Sequence, residues 1–336
     1  MSGPGFLMRA EIAEALAVFA RTAVMALDIA ALTALRLASA RAYYTIARGS
    51  SDAAANILSY EFMRETGKPM TSLPPSVFSL GSGVALDDCI VLIISQSGAS
   101  EDLVRSARGA RAAGGRVIGI VNQTGSPVEV AADLTIAMAA GPELAIPATK
   151  SVIGSIAAGM ALLGHMVPDY APRAAASAEI MAKLDGVAHP DGRALVAALL
   201  RAEHVYVIGR DTGYGAAQEL ALKLKETCAL HAEPYSASEV LHGPLQLVTK
   251  PLLVLLLDTG QPDVQNSLDT AESRFRAAGG TVFRLSPADV GAGDLTPAAA
   301  AALLLCITYP LVLTTALALG HDPDHPATLS KVTQTR

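Results

Sequence analysis

The sequence contains no tryptophan, and all aromatic residues together make up only 4% of it. A core cannot be built around large rings and must come from Ala, Leu, Val and Ile, which dominate a 51% hydrophobic composition. Such interiors suit parallel sheets covered by helices on both faces. Cysteine is scarce as well: Cys89, Cys228 and Cys306 are odd in number, far apart and set in apolar segments. They offer neither a disulfide framework nor a CxxC metal site, and read as buried thiols of a reducing, cytoplasmic compartment. No run of five basic residues occurs and the net charge is −6, so the electrostatic footprint of a nucleic-acid or anionic-membrane partner is missing.

Long hydrophobic runs are missing too, with one exception. Residues 295–320 carry no charge and could span roughly 30 Å of hydrocarbon. Pro297 and Pro310 interrupt them, and one late span fits nothing else in the pattern. A helix buried between domains or subunits is therefore expected there. At the amino end, Arg9, Glu11, Glu14, Arg21 and Asp28 break every stretch long enough for a signal core, leaving soluble helices over residues 1–32.

What the chain does contain is a repeat. A shift of 162 residues lays "YYTIAR" (43–48) on "VYVIGR" (205–210) and "IVLIISQSG" (90–98) on "LLVLLLDTG" (252–260). The same shift lays Ala54, Ala55 and Leu58 on Ala216, Ala217 and Leu220, and "RAAGG" recurs at 111–115 and 276–280. Each half reads strand, helix, strand, helix, strand, with helices that end at glycines such as Gly114 and Gly115. The expected class is α/β: two tandem parallel sheets flanked by helices, over residues 33–170 and 193–320. A polar linker at 171–192 joins them, and a tail follows at 321–336.

In such sheets ligands bind beyond the carboxyl ends of the strands. "SQSGAS" (95–100) stands at that place, where an aliphatic run stops and a helix begins near Glu101. The hydroxyls of Ser95, Ser97 and Ser100, the Gln96 amide and free backbone N–H groups converge on a positive helix end, which suits an anion. With no Lys or Arg in the stretch, these donors suit a phosphate monoester that must bind and leave. A serine-capped helix without a ligand is the other reading. In the second half Leu257 replaces Ser95 and Asp258 replaces Gln96, so that half is expected to keep the fold and lose the anion site. "GRDTGYG" (209–215) has its glycines in the wrong order for a dinucleotide turn, and no nicotinamide cofactor is expected. Glu219, Lys223 and Glu226 share one helical face, with His231, Glu233, Glu239 and His242 following. These charges form either a solvated, salt-bridged face or a catalytic group.

Six stretches carry a family resemblance: "RGSS" (48–51), "SQSGAS", "GPELAIPATKS" (141–151), "ELALKLKE" (219–226), "HAEPYSASEVLHGP" (231–244) and "DPDHPATLSKVT" (322–333). They occur in this order in the isomerase half of glucosamine-6-phosphate synthase, a pair of sugar isomerase (SIS) domains, which the chain resembles over nearly its whole length. The resemblance implies that Ser95, Gln96, Ser97 and Ser100 hold a sugar phosphate and that Ser51 binds sugar hydroxyls. It implies that Glu226, with Lys223 beside it, moves a proton between C1 and C2. His242 would open the sugar ring, reaching in from the neighbouring subunit of a homodimer with shared active sites. Lys331, in the tail, would be able to form an imine with the open-chain ketose. An aldose–ketose shift needs a base and a group that holds the enolate, and no cofactor. The "HDPDH" run (321–325) looks metal-like, but the matching family loop holds no metal.

Three departures bear on function. Ala148 and Ala99 stand where the synthase has Ser and Glu, so sugar contacts are expected to differ. Ser2 follows Met1 where the synthase begins a glutaminase domain with a cysteine, so glutamine is not expected as nitrogen donor. The expectation is a phosphosugar isomerase or deaminase that converts glucosamine 6-phosphate to fructose 6-phosphate and ammonia. An ammonia-dependent synthase, a deglycase on another amino-sugar phosphate and a non-catalytic phosphosugar sensor stay open. Such sensors carry a helix-turn-helix domain, for which about 35 residues before the first strand leave little room.

Overall fold

A computed structural model describes residues 3–331. Helices α1 (Phe6–Thr22) and α2 (Ile29–Ala34) precede the first sheet. That sheet is built from β1 (Ala42–Ile46), α3 (Ser50–Thr66), β2 (Met70–Ser72), α4 (Ser76–Ser79), β3 (Cys89–Ser95), α5 (Glu101–Ala112), β4 (Arg116–Val121), α6 (Pro127–Ala131) and β5 (Leu134–Ala137). Helices α7 (Lys150–Met166), α8 (Ala171–Lys183) and α9 (Gly192–Leu199) lead to the second sheet. It comprises β6 (His204–Gly209), α10 (Thr212–Cys228), β7 (His231–Ser236), β8 (Leu253–Leu257), α11 (Pro262–Ala277) and β9 (Thr281–Leu285), and α12 (Pro297–Ala318) closes the fold.

Both sheets are parallel throughout, in the orders β2-β1-β3-β4-β5 and β7-β6-β8-β9. The internal repeat is therefore structural. Helices α3 and α10 each run 17 residues and start 162 apart, and β1 to β4 correspond to β6 to β9. Among the described residues, strand β5 has no counterpart in the second sheet. Strand β3 is aliphatic at nearly every position because both of its faces are covered, and all seven residues are buried. Helix α1 buries Met8, Glu11, Ala15, Val18, Phe19 and Thr22, the three-to-four spacing of a one-faced helix.

One hydrophobic cluster runs through both halves. Its centre is the contact of α3 with α10, made close by small residues: a Cβ on Gly215 would lie 2.6 Å from Ile57 and 3.0 Å from the Ala53 carbonyl oxygen. Helix α12 packs on α10, α1, α7, α9, α3 and α8, and its most apolar window is 78% buried. The uncharged segment is thus a core helix between the two halves. Its surface is covered by the chain's own helices, so it lends no support to a subunit interface, and the expected dimer rests on His242 alone. The 171–192 linker is mostly helix α8, whose Ala174, Ser177, Ala178 and Met181 are buried. The Ser177 hydroxyl accepts the Thr296 N–H at 3.0 Å, tying α8 to the start of α12.

Candidate active site

Strand β3 ends in the loop that carries the serines. Ser95 is buried, and its hydroxyl accepts the Gly98 N–H at 3.0 Å. Gly98 has φ +60°, and a Cβ there would lie 2.2 Å from the Ser126 Oγ, so the turn admits only glycine. The Gln96 carbonyl accepts the Asn122 N–H at 3.3 Å, which fixes the loop to the end of β4. Ser97 and Ser100 line the cleft above; Ser95 and Gln96 are not among its lining residues. Ser95 instead shapes the loop from beneath. In the second half the equivalent Gly260 N–H donates to Asp258 at 2.8 Å, and Asp258 is also held by Gln265 at 2.8 Å and Arg284 at 3.0 Å. A carboxylate thus takes in the second half the amide that the neutral Ser95 hydroxyl takes in the first.

The cleft, of about 410 Å³, lies where the two halves meet. The turn after β1 contributes Arg48, Ser50 and Ser51; α10 contributes Glu226; the 141–151 loop contributes Ile146 and Ala148; and the tail contributes Lys331. Arg48 puts a cation beside a serine stretch that has none of its own. Its Nε lies 2.9 Å from Asp102, in the first turn of α5, and both residues line the cleft. Ala148, the departure from the synthase pattern, faces the same space.

Behind Glu226 stands a row of charges on one face of α10. Lys223 is fully buried and donates to Glu226, and it lies 3.6 Å from Glu219. Glu219 is also fully buried and accepts the Tyr309 hydroxyl at 3.1 Å. Burial pushes the Glu219 carboxyl up to about 7, with Lys223 opposing the rise and Glu226 adding to it. Burial works against the Lys223 ammonium, yet attraction to Glu219 and Glu226 outweighs it and raises its pKa above the ordinary value. The lysine is therefore a fixed cation that orients Glu226, whose side chain keeps 24% of its surface exposed.

Lys331 reaches the cleft by the 141–151 loop. It donates to the Ala145 carbonyl and lies 3.6 Å from Glu143, a buried carboxylate that accepts the Thr149 and Ser151 N–H groups at 3.0 Å each. The acids of "HDPDH" serve the fold: Asp324 accepts the Leu7 and Met8 N–H groups at 2.9 and 2.8 Å, capping α1 from the far end of the chain. The last residues of the tail, 332–336, lie outside the described residues. His242 is exposed at the end of a 3₁₀ turn, Glu239–His242, and is not among the residues lining this cleft. The structure thus brings together Ser51, Ser97, Ser100, Glu226 and Lys331, with Lys223 behind them. Sequence reasoning passed over Arg48, Asp102 and Glu143 as site residues. Arg48 and Glu143 lay inside quoted motifs, but no spacing shows that residue 48 meets residue 102.

The sequence profile of the SIS domain matches residues 36–164 and 198–300, one segment on each sheet. The chain belongs to the SIS domain family. The glutamine–fructose-6-phosphate aminotransferase (isomerizing) of Symbiobacterium thermophilum is 30% identical over 93% of this chain and 54% of its own length. The chain spans about half the length of the curated relatives it matches. Among solved structures, a Silicibacter pomeroyi protein assigned as a phosphosugar isomerase is 32% identical, with a TM-score of 0.81 over 95% of this chain and 99% of its own. The glucosamine-6-phosphate deaminase of Thermotoga maritima shares the fold at 19% identity, with a TM-score of 0.75 over 98% of this chain and all of its own. The SIS fold of this chain is that of the phosphosugar isomerases, and it is homologous to the isomerase region of the aminotransferase.

Proposed function

We propose that the protein is a glucosamine-6-phosphate deaminase, which converts glucosamine 6-phosphate and water into fructose 6-phosphate and ammonia. One observation carries this function: the serine loop of the first half and Glu226 of the second, held from behind by Lys223, face one cleft of about 410 Å³. Phosphate bound at Ser97 and Ser100 leaves the sugar's other end toward Glu226. His242 of a second copy opens the pyranose, since only the open-chain aldehyde has an acidic C2 hydrogen. Glu226 takes that proton from C2 and returns it to C1, so the aldehyde becomes an alcohol and the C2 amine an imine. Water adds to the C2 imine and ammonia leaves, giving the ketose. Lys223 holds the carboxylate in place. The tail bearing Lys331 covers the cleft and limits water to that one addition.

The test is to incubate the purified protein with glucosamine 6-phosphate and measure ammonia and fructose 6-phosphate, with and without glutamine. Equal amounts of both products without glutamine are expected. Glu226→Gln should lower kcat rather than raise KM, and should abolish exchange of the C2 hydrogen with solvent. Ammonia released by Glu226→Gln at the wild-type rate, or by wild type only with glutamine, overturns the mechanism. Turnover of an unaminated aldose phosphate alone would make the protein an aldose–ketose isomerase.

A further inference from the structure

We propose that Arg48 is a substrate-binding residue that receives the phosphate of the sugar phosphate, with Asp102 holding the guanidinium in place. This rests on the phosphosugar function above for the nature of the ligand, and it adds a cation beside a serine loop that carries none of its own.

Asp102 is 2% exposed and sits in the first turn of α5, the same helix end that Ser100 opens and Ser97 approaches. A carboxylate at that position competes with an external anion for the helix terminus. It is acceptable beside a phosphate only if a cation cancels it, and Arg48 does so through one Nε contact at 2.9 Å. Yet a residue that merely neutralised a buried acid would be expected to be buried with it, and Arg48 remains 53% exposed along the cleft. With the Nε edge committed to Asp102, the terminal amino groups can match two oxygens of a phosphate.

The second half supplies an internal control. There the equivalent arginine, Arg210, donates to Ser236 at 3.0 Å and Ser238 at 2.7 Å, and Val264 stands where Asp102 would be. The loop amide is taken by Asp258. The arginine–aspartate pair therefore occurs only in the half whose loop amide is held by a neutral hydroxyl, Ser95, rather than by a carboxylate, as expected if the pair belongs to the anion site rather than to the architecture of the repeat.

The test compares wild type with Arg48→Met, Arg48→Lys, Asp102→Asn and the double variant Arg48→Met/Asp102→Asn. Binding of inorganic phosphate and of fructose 6-phosphate is measured by calorimetry, and melting without ligand serves as the control for folding. Arg48→Met should weaken both ligands roughly ten- to a hundred-fold. Arg48→Lys, which keeps the charge but loses the fork, should recover part of the loss. The double variant should remain as weak as Arg48→Met. Recovery of wild-type affinity in the double variant would mean that Arg48 only neutralises Asp102, and the proposal fails. It also fails if wild type binds both ligands and Arg48→Met binds them equally well. If wild type binds neither ligand, the phosphosugar function falls together with it. Should Arg48→Met not fold, the Lys variant decides, since unchanged affinity there refutes recognition by the fork.

Discussion

Glu61→Gln should remove a pH-dependent weakness in the joint between the two halves. Glu61 lies on α3 where the repeat puts Lys223 on α10; it is fully buried and accepts the Tyr170 hydroxyl at 2.8 Å. Burial raises its carboxyl to about 7, against about 4.5 for the ordinary group, and the Tyr170 hydrogen bond and Arg64 only partly oppose this. Between those values the folded chain holds a proton that the unfolded chain has released. Stability must then fall as pH rises through this window, levelling off above it. The difference corresponds to about 3 kcal/mol once both states are ionised. Glutamine stays neutral and still accepts from Tyr170, so the change with pH is informative even if the replacement has a constant effect. Urea unfolding followed by circular dichroism from pH 5 to pH 8 should show the variant gaining about 2.5 kcal/mol on wild type across the range, because the unfolded carboxyl is already largely ionised at pH 5. Glu219 weakens with pH in the same direction, but it is present in both proteins and cancels. Parallel stability curves for the two proteins would refute the assignment of a neutral, buried Glu61.

Three further outcomes can be checked. Ser97→Ala should raise KM for glucosamine 6-phosphate by roughly ten-fold or more with little change in melting temperature, since a hydrogen bond to a charged ligand is worth about 1.5–3 kcal/mol; Thr259→Val, its counterpart in the second half, should leave KM unchanged in the same assay. Asp324→Ala, which removes the cap of α1, should destabilise the chain by about 1–2 kcal/mol, seen as a lowered thermal midpoint. Mixing inactive Glu226→Gln with inactive His242→Ala chains should restore part of the deaminase activity if copies share a site; no recovery after confirmed subunit exchange excludes sharing.

Most of the fold was legible because its signals are local and repeated. β3 reads as a doubly covered strand from its aliphatic run alone, and the 162-residue shift that aligns three motifs also aligns α3 with α10. A cleft lies where the rule for strand ends put it, beside Ser97 and Ser100. The roles of single side chains did not follow. Ser95 belongs to the motif but is buried beneath the loop, where its hydroxyl holds the N–H of Gly98 in a turn with φ +60°.

By itself, the sequence determined the α/β class, the duplication, the serine loop at the end of β3 and the carboxylate in the matching loop of the second half. These depend on residue type, on periods of two and 3.6, and on neighbours a few positions apart. Only the tertiary structure decided which distant groups meet. Folding joined Arg48 to Asp102, laid Lys331 against Glu143, set Asp324 on the end of α1 and wrapped α12 in the chain's own helices. It also fixed the charge of the site, since a carboxylate such as Glu219 reaches about 7 only where packing removes the water that would otherwise stabilise its anion.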